Sequence, residues 1–537
     1  MSQRTQAPVR TGDVVDVDIE RLAHGGRGIA RLDNFVLFVG RSLPGDRVRA
    51  RVTRVKRSFA EAVAEEVLSQ GPESIVPPCP YVGVCGGCPW QRLDYPAQLR
   101  VKEEQIREGL QRIGGVADPQ MAPILGADET FGYRNKVDYT FSQDPETKVV
   151  SLGFHKSGSW EEIVPVDPCL IADQRGLPAK RIIEAWANRH GLAIYDRTTG
   201  SGLLRALVVR VGHATGEVQV HLVTGPTSKG LHRQAELIDD LEAGVPGIVS
   251  IVHTQTDSRA EVSLGDEPPE LLWGRDYFEE VMGGKRLRVR AASFMQTNTA
   301  MADRLYDLVV EVAQLRPDDV AYDLYCGLGS IALTLAPHVK EVVGVEVVPQ
   351  AIECAIENAE LNGVENVEWQ VGNVRPILKH AKGVWPDPTL IVVDPPRSGL
   401  VPKVVRRICE ARPERIVYVS CNPATFAGNL PLFREHGYDM VFVQPVDQFP
   451  HTAHCELVAR LEPIEGWVAP DVSEEEAELA RIAKTKRGAR KLKQRSAHSL
   501  IAEGVRESEP RPEAVQPDPA DPSTPADVTA DGADGTD

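Results

Sequence analysis

From residue 11 onward the chain alternates apolar and polar residues in short runs, 13–19, 28–32, 35–39, 46–54 and 59–67, broken by Gly and Pro. A period of two marks half-buried strands, and five short strands in quick succession predict a small β-barrel of the oligonucleotide-binding kind. The period then lengthens: Leu99, Ile106 and Leu110 recur at helical spacing and predict an amphipathic helix over 95–113. Alternation returns at 137–141, 204–211 and 218–223, which predicts an antiparallel sheet inside a second unit. Beyond a predicted helix at 300–313 the pattern changes a third time. The runs at 320–324, 341–345, 390–393 and 416–420 are apolar throughout and are separated by helical stretches such as 331–335, the mark of strands buried on both faces of a doubly wound α/β sheet.

At 537 residues the chain is too long for one core, and a prior of roughly 150 residues per domain gives about three folded units. The expected divisions are 1–68 for the barrel, 69–290 for a central α+β domain, 291–464 for the α/β domain, and 465–537 for a disordered tail. The formal net charge of −17 is unevenly distributed. Residues 1–66 carry twelve Lys or Arg against nine acids, whereas 507–537 carry nine acids and Arg511. The acidity therefore belongs largely to a tail in which seven bases in 484–495 precede an acidic, proline-containing end, a composition too poor in apolar residues to fold. The first ten residues contain no apolar leader and no uncharged stretch is long enough to span a bilayer, so the expectation is a soluble, cytoplasmic protein, monomeric and without a membrane partner. Nine scattered cysteines point away from a disulfide framework and toward metal binding or catalysis.

The basic run Arg47, Arg49, Arg51, Arg54, Lys56 and Arg57 falls on the predicted barrel. Such a run is usually a solvated face. Its coincidence with the barrel favours a surface for RNA, and the segment resembles the TRAM domains that accompany RNA-modifying enzymes. Tyr133-Arg134-Asn135-Lys136 sets an aromatic ring beside two cations and an amide, a combination suited to stacking on a base and gripping a phosphate.

Cys79, Cys85 and Cys88 fall within ten residues, with Gly86 and Gly87 between the last two, and Cys169 is the nearest further thiol downstream. Three close thiols and a distant fourth suit an iron-sulfur cluster. Zinc is the rival, although structural zinc sites more often use two close pairs. In the α/β unit, Asp323-Leu-Tyr325-Cys326-Gly327-Leu-Gly329 ends a strand in a glycine turn, and Glu346 ends the next strand, where a carboxylate can accept from ribose hydroxyls. Asp394-Pro395-Pro396-Arg397 ends a third strand in a rigid loop, and Cys421 ends the fourth just before Asn422-Pro423. A thiol at that position reads equally as a nucleophile or as small buried filler. Arg397 reads as a helper for anionic charge or as the partner of a surface acid.

Taken with Pro450-His451-Thr452-Ala453-His454-Cys455-Glu456, these motifs give the chain, over about 11–462, a resemblance to the RNA 5-methyluridine methyltransferase family of the TRAM and iron-sulfur type. That resemblance implies a class I methyltransferase fold using S-adenosyl-L-methionine, with Cys421 as nucleophile on C6 of uracil and Glu456 as the base that removes the C5 proton. It implies a donor site of Gln296, Tyr325, Ser330, Glu346, Asn373 and Asp394, and a [4Fe-4S] cluster on Cys79, Cys85, Cys88 and Cys169. Ser330 departs from the family, where an Asn is common, and Gly428 stands where a charged residue is expected. Enzymes that methylate C5 of cytosine in RNA, by contrast, carry a Cys in the motif that reads Asp394-Pro395-Pro396 here, and its absence favours uracil. Phe294 is the candidate for stacking on the extruded base. The implied substrate is large-subunit ribosomal RNA; the alternatives are transfer RNA, or a non-catalytic RNA-binding protein on the same scaffold.

Overall fold

The computed structural model describes residues 7–227, 230–258, 269–381 and 383–468; the tail expected over 465–537 lies almost wholly outside them. Residues up to Pro463 form one compact unit.

The amino-terminal sheet has six strands in the order Val14–Asp18, Arg47–Val55, Phe59–Ser69, Phe35–Gly40, Gly28–Leu32, Arg21–Leu22. Five were legible as alternation; the sixth, two residues long, is too short to show a period. Along Arg47–Val55, Val48, Ala50 and Val52 enter the core while Arg47, Arg49 and Arg51 face outward. That outer face is only partly a basic surface. Arg49 is paired with Asp16 at 2.9 Å and Glu66 at 3.1 Å, and Arg51 with Glu65 at 2.6 Å.

The central sheet runs Glu270–Gly274, Ile248–Gln255, Val218–Thr224, Leu204–Val211, Lys136–Gln143, Val150–His155, Ile163–Pro165. It is mixed and not antiparallel throughout, because Val218–Thr224 pairs in parallel with Ile248–Gln255 through the crossover helix Gln234–Gly244. Of the tetrapeptide expected to meet RNA, the ring and the amide are turned inward while Arg134 and Lys136 stay half-buried. Tyr133 and Asn135 are buried, the Tyr133 hydroxyl donates to Pro450 O at 3.1 Å, and Asn135 Nδ2 donates to Gln296 O at 3.0 Å and Thr299 Oγ1 at 2.9 Å.

The third sheet orders its strands Val367–Val371, Glu341–Glu346, Val320–Leu324, Leu390–Val393, Arg415–Ser420, Glu456–Pro463, Tyr438–Val446. The first five are parallel; Glu456–Pro463 runs antiparallel to both of its neighbours, so Tyr438–Val446 points the same way as the first five. From Val320–Leu324 the chain first winds outward to one side and then returns to start Leu390–Val393 on the other, so the crevice between those two strand ends is the switch point where α/β sheets receive ligands. The helix Tyr95–Arg112 sends Ile106 and Leu110 into the same apolar cluster as Tyr418, Phe433 and Val443, although more than three hundred residues separate Leu110 from Val443.

Candidate active site

The glycine turn after Val320–Leu324 is forced by its neighbours. Tyr325, Gly327 and Gly329 all have positive φ (69°, 55° and 90°), and a Cβ at Gly329 would come within 2.7 Å of the Trp369 ring. Tyr325 N–H and Cys326 N–H both donate to Val345 O, at 2.9 and 3.1 Å. Glu346 is held in place by backbone donors: Oε2 accepts from Gly327 N–H at 3.2 Å, and Oε1 from Val347 and Val348 N–H at 2.7 and 3.0 Å. Asn373 begins the helix Val374–His380, and its side chain makes no capping bond. Gln296 is buried, with its Oε1 3.4 Å from Gln448 Nε2, and Asn298 both caps Thr299–Ala313 and donates to Gln448 O at 3.1 Å.

The Asp394-Pro-Pro loop and the Cys421 turn are locked to each other. Asn422 Nδ2 and Thr425 Oγ1 donate to Arg397 O at 3.1 and 3.2 Å, and Asn429 brackets Leu400 through both amide atoms. Gly399, at φ 72°, fits beneath Thr425 and Asn429 where a side chain would crowd both. Among the described residues, Cys421 is the one thiol of the α/β unit that is not buried; Cys326, Cys354, Cys409 and Cys455 all are. Burial, Glu456 and Asp394 push the Cys421 thiol up to about 12, against the opposing charge of Arg397. Arg397 Nη2 also lies 3.1 Å from His454 Nδ1.

Three carboxyl groups gather at these strand ends, Asp323 and Glu456 buried and Asp394 half-buried. Burial raises Asp394 to about 7, burial and Asp394 raise Glu456 to about 8, and burial with Asp394 raises Asp323 to about 8. Asp323 Oδ2 accepts from Ala332 N–H at 2.8 Å, while Asp323 Oδ1 and Glu456 Oε2 have no hydrogen-bond partner among the described residues. A pocket holding this much potential negative charge suits a cationic ligand. The sequence reading missed Tyr306, a buried phenol facing Ser330 and within the field of all three acids. Its place in an ordinary apolar helix face gave no signal.

Far along the chain, Cys79, Cys85, Cys88 and Cys169 line one cavity of about 220 Å³ with Tyr81, Val82, Phe154 and Val166. Burial and the other three thiols push Cys88 up to about 12. Among the described residues, no three His, Cys, Asp or Glu side chains are grouped as ligands of a single metal ion. Phe294 is 70 % exposed beside Gln296. No helix among the described residues is long and apolar enough to cross a membrane.

The fold and the strand-end pocket define a class I methyltransferase. Comparison with known proteins carries this further. Residues 8–64 match the TRAM domain, and residues 269–372 and 387–462 match the tRNA (uracil-5-)-methyltransferase family. An uncharacterized RNA methyltransferase of Halalkalibacterium halodurans is 38% identical over 461 residues, covering 86% of this chain and 99% of the relative. Another, from Caldanaerobacter subterraneus, is 38% identical over 453 residues, covering 84% and 99%. Among solved structures, the Pyrococcus abyssi tRNA (uracil-54, C5)-methyltransferase in complex with S-adenosyl-L-homocysteine superposes with a TM-score of 0.67 at 29% identity, over 83% of this chain and 99% of that one. The chain belongs to the S-adenosyl-L-methionine-dependent RNA uracil-C5 methyltransferase family and carries a TRAM domain at its amino end.

Proposed function

We propose that the enzyme methylates C5 of a uridine in large-subunit ribosomal RNA through a covalent adduct on Cys421. The observation that carries this is a half-buried thiol at the carboxyl end of a central strand, in the field of Glu456, Asp394 and Arg397. C5 of uracil is a poor nucleophile. Addition of the Cys421 sulfur to C6 breaks the C5–C6 π bond and moves its electron pair toward C5 and the O4 enolate. Arg397 favours the anionic forms of both sulfur and enolate. The bound sulfonium donor supplies the electrophilic methyl group. Glu456 then takes the C5 proton, and the electrons of that C–H bond re-form the double bond and expel the thiolate. Raised to about 8, the Glu456 carboxylate is a stronger base than an ordinary glutamate, and the Arg397 charge and a cationic donor favour the ionised form that takes the proton. Gln296, Tyr325, Ser330, Glu346, Asn373 and Asp394 form the donor site, and the acids around Asp394 complement the donor's positive charge.

The substrate assignment rests on the resemblance of the barrel and the four-cysteine pattern to family members that act on ribosomal RNA. The similarity to an enzyme named for uracil-54 of tRNA supports transfer RNA as the second reading. Mapping 5-methyluridine in both RNAs, from cells with and without the gene, separates the two. The covalent step is tested with RNA bearing 5-fluorouridine. A denaturation-resistant adduct should form, and its tryptic peptide should contain Cys421; an adduct on any other cysteine removes the mechanism.

The four thiols Cys79, Cys85, Cys88 and Cys169 around their shared cavity would hold a [4Fe-4S] cluster with a structural or RNA-folding role. In such a cluster each thiolate binds a different iron, so the sulfurs stand farther apart than around one ion. What supports the reading is that all four thiols line one cavity, which supplies the soft donors such a cluster takes. Anaerobically purified protein should be brown with broad visible absorbance; colourless protein with stoichiometric zinc would exclude the cluster.

A further inference from the structure

The stretch 447–456, which brings Glu456 to the strand end, is gripped from outside the α/β sheet by one face of the helix Tyr95–Arg112. Tyr95, Gln98 and Lys102 follow one another at spacings of three and four residues and so lie on one side of that helix. Lys102 Nζ lies 2.6 Å from Asp447 Oδ1, with both side chains fully buried, and donates to Phe449 O at 3.1 Å. Gln98 addresses His451 twice: its Oε1 accepts from the backbone N–H at 2.8 Å, and its Nε2 lies 3.2 Å from Nδ1. The same Gln98 amide donates to Leu93 O at 2.8 Å and reaches Trp90 O at 3.2 Å, which ties the loop to the turn that opens its own helix. His451 has φ 69°, a conformation costly for a residue with a side chain, which persists where the surroundings over-determine it. Those surroundings are Gln98, the Tyr95 ring edge at 6.4 Å, the Phe131 ring at 4.5 Å, and Trp90 N–H donating to His451 O at 3.1 Å.

We infer that Gln98 and Lys102 are positioning residues for the methyl-transfer reaction, acting through His451 and Asp447 to fix the loop that aims Glu456 at the substrate. This rests on the reading of Glu456 as the base. A loop of this kind, left free to shift by an ångström, loses rate without losing its ligands, a cost of about a hundredfold.

The test uses full-length Gln98→Leu and the charge-neutral pair Lys102→Met with Asp447→Asn, beside Glu456→Gln. Each is assayed with radiolabelled S-adenosyl-L-methionine on bulk RNA from cells lacking the gene. The expected result is a fall in kcat of about a hundredfold, with KM for RNA and affinity for S-adenosyl-L-homocysteine unchanged. The share of enzyme trapped as a covalent RNA adduct on denaturing gels should rise toward that of Glu456→Gln. Gln98→Glu, which keeps the acceptor for His451 N–H, should recover part of the rate. Activity lost only in proportion to S-adenosyl-L-homocysteine binding sites, with no rise in adduct, overturns the positioning role and leaves a purely structural one. Adduct in Glu456→Gln but in neither other variant overturns the inference alone; adduct in none of them overturns the reading of Glu456 with it.

Discussion

The strand Val320–Leu324 has an aspartate near each end, and the protein treats the two in opposite ways. Asp319, just before the strand, accepts from Thr389 Oγ1 at 2.7 Å and Arg316 N–H at 2.7 Å, and forms ion pairs with Arg415 and Arg316. Burial pushes its carboxyl up, but those hydrogen bonds and the Arg415 charge outweigh it and hold the group below its ordinary value. Asp323, four residues on, has one partnered oxygen and one orphan, and with Asp394 and Glu456 it stays above the carboxylate range. At the amino ends of the strands charge is matched within the chain, which makes scaffold. At the carboxyl ends Asp323 and Glu456 each keep an oxygen without a partner among the described residues, which suits a cationic ligand.

Substitutions at the two ends should therefore damage different properties. Cys421→Ala should bring methyl incorporation down to the blank while RNA retention on filters persists, because phosphate and stacking contacts do not pass through sulfur. Measurable turnover would break the assignment of the carboxyl end as the chemical one. Glu456→Gln should slow turnover by about 10² to 10⁴ and accumulate adduct, with little change in the urea midpoint. Asp319→Ala should do the reverse. Leaving Arg415 buried without its partner costs about 3–5 kcal/mol in urea unfolding, while the kcat of the folded fraction is unchanged; a kinetic defect without instability would erase the contrast.

The acids also set a pH dependence. Their native pKa values lie above the unfolded ones, so between the two the native state binds more protons and unliganded stability falls as pH rises from about 4 to about 8. Asp323→Asn should flatten that slope in thermal melts. The cationic donor should gain affinity over the same rise while the neutral S-adenosyl-L-homocysteine gains less, and parallel titrations of the two ligands at several pH values would show the divergence or its absence. The smallest effect belongs to the barrel. Arg49→Ala breaks exposed, already compensated ion pairs with Asp16 and Glu66 and should leave the urea midpoint and RNA affinity nearly unchanged.

How far the sequence carried depended on whether a feature was local. Strand-end motifs were legible because a glycine turn, a Pro-Pro loop and an Asn-Pro break are written in consecutive residues, and the parallel sheet because buried strands are apolar without interruption. Reading failed where meaning came from a distant partner. Tyr133 and Asn135 looked like RNA contacts, since nothing near them in sequence announces Pro450, Gln296 or Thr299 as their neighbours. The pairing of Arg49 and Arg51 was hidden because Asp16, Glu65 and Glu66 come from other strands. The parallel pair in the central sheet was hidden for the same reason, as register is a property of two strands. Gln98 and Lys102 did leave a trace, two polar residues in a buried helix face, but their partner loop lies 345 residues further along for the Lys102–Asp447 pair.

That separation also sets a clock on biogenesis. A ribosome adding about 5–20 residues per second delivers Asp447 roughly 20 to 70 s after Lys102. Through that interval the helix Tyr95–Arg112 has neither a counter-charge for its lysine nor a strand Tyr438–Val446 to cover Ile106 and Leu110. The apolar side of Tyr95–Arg112 therefore gains its native cover only late in synthesis. The active site can close only after the last two strands of its sheet have been translated.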